Sequence, residues 1–149
     1  DTFGEALKAH RLGLYRVAPR LLFPELERVG ADEFHDGRHA VETMNGKNFG
    51  IASLKDIRES FDTMPAGAIL RFEQSLALFG KLQDHLYKKA ESDEAIRQIE
   101  NDPVPNRHAS VHGIVAYRTQ QTSLNAIIMT DFMLDLMDRL KLHVELGGD

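Results

Sequence analysis

The chain has 149 residues, 42% hydrophobic and 28% charged, the make-up of one globular domain with its own core rather than of a disordered segment. It contains no cysteine, which removes disulfides, thiolate metal sites and cysteine nucleophiles together and fits a cytoplasmic setting. A net charge of −5 argues against a general coat for nucleic acid. No apolar run reaches the length of a membrane span; Asp131, Asp135 and Asp138 cut the C-terminal one.

The apolar spacing is helical almost throughout. Phe3, Leu7, His10, Leu14 and Val17 follow the 3.6 period, and Pro19 is expected to break that segment. Leu22, Leu26, Val29 and Phe34 form a second stripe, with Pro24 acceptable in a first turn. Gly37, Asn45, Gly46, Asn48 and Gly50 mark residues 35–53 as a long loop, a lid, insertion or partner contact. Ser53 is placed to cap a short helix carrying Leu54, Ile57 and Phe61, and Met64, Pro65 and Gly67 read as a turn.

Ile69, Phe72, Leu76, Phe79, Leu82 and Leu86 give the cleanest helix, ending near Lys88 and Lys89 as the helix dipole favours. Ser92 is expected to cap a helix through Ile96 and Ile99, which Pro103 and Pro105 stop. Asn106 is expected to cap the next helix. Thr122 or Ser123 should start the last one, with Leu124, Ile127, Ile128, Phe132, Leu136, Met137 and Leu140. Its polar face is narrow, so it is expected at the centre, with Met129, Met133 and Met137 in packing. The prediction is all-α: an antiparallel bundle of five to six helices, without strands or repeats. Because the sequence starts at Asp1, residues 1–149 read as a single domain of a longer protein.

One segment concentrates chemistry. Asn106, Arg107, His108 and His112 fall within about one and a half turns at a helix start, where partial positive charge favours anions. Arg grips a phosphate through two parallel hydrogen bonds and offsets charge in a phosphoryl transition state. Histidine titrates near neutrality and can accept a ribose 2′-hydroxyl proton or give one to the leaving oxygen. RNA carries its own nucleophile, so no metal is called for. Arg28 and His35 repeat the bare spacing and read as a decoy at a fraying helix end.

The string Asn106-Arg107-His108, then His112-Gly113, followed by an apolar helix near Leu124, resembles the HEPN superfamily of helical domains. The likeness covers about 35 residues, roughly 102 to 136. The family signature is Arg, a polar residue, and a His closing an Arg-x4-to-6-His spacing. The resemblance implies a metal-independent endoribonuclease, generally dimeric, with paired motifs in a cleft between protomers. It implies a toxin–antitoxin or antiviral defence setting. Arg107 would be the phosphate cation, His112 the general acid/base, and Asn106 and His108 the substrate-binding residues.

Ile114 stands where family toxins silenced by nucleotidylation carry a Tyr, and the nearest tyrosine is Tyr117. The partners implied are RNA, a second copy of the chain, and an antitoxin or other domains. The competing reading is a non-catalytic helical module for nucleotide binding, dimerisation or partner binding.

His108-x3-His112 and His35-x3-His39 share the spacing of paired metal ligands. Neither holds the intervening Glu of a zinc-protease motif, so neither a metal nor a cofactor is assigned. His10 reads as a satisfied core histidine, His85 and His143 as surface residues, and the three aspartates as a solvated stripe.

Overall fold

The computed structural model describes residues 1–34 and 66–146. Among them every regular element is a helix: α1 (Thr2–Arg11), α2 (Val17–Phe34), α3 (Ala66–Tyr87), α4 (Asp93–Asn101), α5 (Arg107–Val111) and α6 (Gln120–Leu146). The protein is an all-α helical bundle. No helix among the described residues is long and apolar enough to cross a membrane.

The first break falls earlier than Pro19. Helix α1 ends at Arg11 because Gly13 takes φ +76°, a conformation that costs other residues strain. The Gly13 N–H donates to the His10 carbonyl at 3.0 Å and the Leu14 N–H to the Ala9 carbonyl at 2.9 Å. This pair of bonds is the glycine-stopped helix ending. Pro19 instead sits in the first turn of α2, where its missing N–H costs no hydrogen bond. Pro24 is interior to α2, not in a first turn; it lies on the exposed side, where water can serve the carbonyl it leaves unpaired.

Helices α2 and α6 form the spine of the bundle, with α1 against both. Phe23 and Leu26 from α2 meet Phe79 and Leu86 from α3 and Met129, Met133 and Met137 from α6. All seven are buried, the methionines as expected. Ala6, Ala18, Leu22 and Ile127 continue the core beneath α1. Helix α6 starts at Gln120, earlier than Thr122, because Thr119 Oγ1 accepts from the Thr122 N–H at 3.1 Å. It is central but not wholly covered: Leu124 and Ile128 are exposed, as are Asp131, Asp135 and Asp138.

Gly67, expected in a turn, already belongs to α3. Ser92 caps α4 as anticipated, accepting from the Ala95 N–H at 3.1 Å. The loop expected over residues 35–53, the helix of Leu54, Ile57 and Phe61, and Met64 and Pro65 lie outside the described residues. Arg28 pairs with Glu25 and Asp32 on the exposed side of α2, and its decoy partner His35 is likewise outside them.

Candidate functional site

The site is built on α5, the shortest of the described helices, which could not hold its place unaided. Asn106 supplies the anchor. Its Oδ1 accepts from the Ala109 N–H at 2.8 Å, capping the helix. Its Nδ2 donates to the carbonyls of His85 at 2.6 Å and Lys88 at 3.0 Å, at the end of α3. The opposite amide orientation would set the NH2 group against an N–H, so the network fixes which atom is which. The side chain is wholly buried with its polar atoms engaged. Asn106, expected to bind substrate, shapes the site from inside and does not face solvent.

The approach to α5 is fastened equally tightly. The Asn106 N–H donates to the Tyr117 hydroxyl at 2.9 Å, and that hydroxyl donates to the Ile99 carbonyl at 3.4 Å. Burial pushes the Tyr117 phenol up to about 12, so it stays a donor across the physiological range. Asp102 Oδ1 accepts from the Val104 N–H at 2.8 Å, and Asn125 Nδ2 donates to the Pro103 carbonyl at 2.8 Å. His85 is not a free surface residue: it is half-buried, and Nε2 bonds the Val104 carbonyl at 2.8 Å. Ile99, Ala109, Val115 and Tyr117 form a small core directly beneath.

Helix α5 ends as α1 does. The Gly113 N–H donates to the Ser110 carbonyl at 3.3 Å and the Ile114 N–H to the Ala109 carbonyl at 2.9 Å, with Gly113 at φ +71°. A Cβ at Gly113 would meet nothing within 4 Å, so a substitution there is felt only by the backbone. Gly113→Ala is expected to destabilise by about 1 kcal/mol and Gly113→Asn by clearly less, since Asn tolerates this conformation. Urea unfolding of the two variants measures the difference; equal stabilities would refute this account of the turn.

Arg107 is held by two residues the sequence did not single out. Its Nη2 donates to Glu27 Oε2 at 2.8 Å, and its Nε lies 2.7 Å from Oε1 as an ion contact. That N–H is angled away from the oxygen, so the second contact is not a well-aligned hydrogen bond. Tyr87 donates its hydroxyl to the same Oε1 at 3.1 Å, and its ring lies 5.7 Å from the Arg107 guanidinium carbon. Burial, reinforced by the Glu27 charge, raises the Tyr87 phenol well above its ordinary value. Glu27 thus fixes one edge of the guanidinium, while Nη1 carries no partner among the described residues.

Of the two histidines, His108 lies on the same short helix and His112 is its C-cap. Their ring centroids are 4.6 Å apart, tilted by 56°. His112 is exposed and His108 half-buried, and neither ring has a hydrogen-bond partner among the described residues. His10, by contrast, shares a 2.9 Å hydrogen bond with Ser123 Oγ and stacks edgewise on Tyr15; it is satisfied as expected, but half-buried and not in the core. The structure therefore brings His108 and His112 together, while the Arg107 guanidinium is held by Glu27 and Tyr87 and acts on His108 through its charge.

Desolvation, then the charges of His112, Arg107 and Lys89, lower the His108 pKa below its ordinary 6.5, with Glu91 opposing. The folded chain then binds that proton less readily than the unfolded one. His108's contribution to stability is complete above pH 6.5 and is lost as pH falls through the lowered value. An NMR titration of the imidazoles is expected to give His108 a midpoint below 6.5, raised by His112→Gln. A midpoint at or above 6.5 in the wild type would contradict the arrangement.

Elsewhere, Leu78, Leu82, Val104, Ile128, Met129 and Phe132 line an apolar groove of about 310 Å³ between α3 and α6, to which α5 contributes nothing. No group of three or more His, Asp or Glu able to hold a metal ion occurs among the described residues. No family model matches the chain, and neither the curated proteins nor the solved structures contain a match to it.

Proposed function

We propose that this domain is a metal-independent endoribonuclease, working as a homodimer with the Arg107–His112 segment at the interface, in a toxin or antiviral defence setting. One observation carries the reading. Helix α5 and its C-cap carry a guanidinium with an unused edge and two imidazoles in mutual contact whose four ring nitrogens have no partner among the described residues. Those are the groups that phosphodiester cleavage by an RNA 2′-hydroxyl requires.

In this mechanism the Nη1 and Nη2 hydrogens of Arg107 that Glu27 leaves free hold the non-bridging phosphate oxygens. His112 takes the 2′-hydroxyl proton as that oxygen bonds to phosphorus. The bond to the 5′-oxygen breaks, and His108, entering the step in its protonated form, gives that oxygen its proton. The products are a 2′,3′-cyclic phosphate and a 5′-hydroxyl. Asn106 contributes by fixing the first turn of α5, and a neutralising protein partner would act by covering this surface.

The second reading, a non-catalytic helical module for nucleotide, partner or self-association, is favoured by a different observation: Arg107 already has a carboxylate partner in Glu27. RNA cleavage in EDTA by the wild type, Arg107→Ala and His112→Ala separates the two. The nuclease reading expects loss in both variants; equal activity in all three overturns it.

A further inference from the structure

We propose that His108 and His112 form a two-histidine binding site for a borderline divalent metal ion of the Zn²⁺ class. Among the described histidines they stand apart. His10 is tied to Ser123, and His85 is tied to the Val104 carbonyl, with its Nδ1 3.8 Å from Asp102. Among the described residues nothing bonds any of the four ring nitrogens of His108 and His112, and imidazole is a preferred ligand for such ions.

Their ring separation is already that of a chelate. Two imidazoles bound to one ion at about 2.0–2.1 Å, with ligand angles of about 90–110°, hold their ring centroids about 4.5–5.2 Å apart. The observed separation is 4.6 Å. The intervening turn is closed by the His112 N–H bonding the His108 carbonyl at 3.1 Å, so little backbone freedom remains to be lost on binding. Of the two fixed cations that bear on His108, Arg107 is offset by Glu27, and the Glu91 carboxylate opposes Lys89. Water would complete the coordination, as the protein supplies two ligands.

The site stands on this geometry and not on the nuclease reading. Only its consequence rests on that reading: an ion on His108 and His112 blocks the nitrogens that must carry protons, so Zn²⁺ inhibits and EDTA restores cleavage.

The test is ¹⁵N-histidine NMR of the chain during Zn²⁺ addition in chelator-free buffer. The expected result is that His108 and His112 shift together at the lowest Zn²⁺ concentrations while His10 and His85 stay unchanged. In His108→Ala, the His112 response should need at least about tenfold more Zn²⁺, and His112→Gln should weaken the His108 response likewise. The thermal transition of each variant checks that it is folded. The inference is overturned if neither ring responds, or if His112 in His108→Ala responds at the wild-type Zn²⁺ concentration. A chain that binds Zn²⁺ in this way but never cleaves RNA in EDTA refutes the nuclease and leaves the metal site in place.

Discussion

Asn106→Ala is expected to lower the unfolding free energy by about 2–4 kcal/mol, the largest stability effect in this part of the molecule. Three hydrogen bonds are lost at once. The Ala109 N–H loses its cap, and the carbonyls of His85 and Lys88 lose a buried donor. The transition should fall by roughly 5–15 °C. Asn106→Asp keeps the capping oxygen but sets a carboxylate against two carbonyls, so it should be no more stable than the alanine variant. Thermal and urea unfolding measure both. A change under about 0.5 kcal/mol for either would mean that α5 is held some other way.

The largest effect on activity is expected at Arg107 and His112. Removing a preorganised charge that meets the transition state costs about 10²–10³ in rate, and removing a proton carrier about 10²–10⁴. Arg107→Lys keeps the charge and loses the planar fork, so it should fall between wild type and alanine. Glu27→Gln supplies the control. It breaks the same ion pair as Arg107→Ala but leaves the guanidinium in place. Single-turnover cleavage should therefore survive better in Glu27→Gln than in Arg107→Ala. If the two variants lose activity equally, Arg107 acts through the fold and not on the phosphate.

The helical class was legible because period-3.6 stripes with caps are local signals. Ser92 and Asn106 announced helix starts by side-chain chemistry that a sequence displays directly. Helix ends were harder to locate. Pro19 looked like a breaker, yet the first turn of a helix does not need its N–H, and Gly13 between two leucines carried the true stop. Pro24 was harder still, since only its exposed position explains why an interior proline is tolerated.

At the site, the His108–His112 neighbourhood followed from i, i+4 spacing. Glu27 and Tyr87 did not, because they reach Arg107 from α2 and α3 across 80 and 20 positions of chain, and no local pattern encodes that meeting. By its sequence alone Asn106 suits both a cap and a substrate contact. Three hydrogen bonds that all turn inward leave it the first role.

The central claim is cleavage by the RNA 2′-hydroxyl under the guidance of Arg107 and His112, and product-end analysis tests it most directly. A randomised RNA pool and its all-2′-deoxy counterpart are incubated with the wild-type chain in EDTA, and the new ends are mapped. The account predicts 2′,3′-cyclic phosphate and 5′-hydroxyl ends from the RNA, and an intact deoxy pool. Cutting of the deoxy pool, or RNA ends carrying a 5′-phosphate, would contradict it.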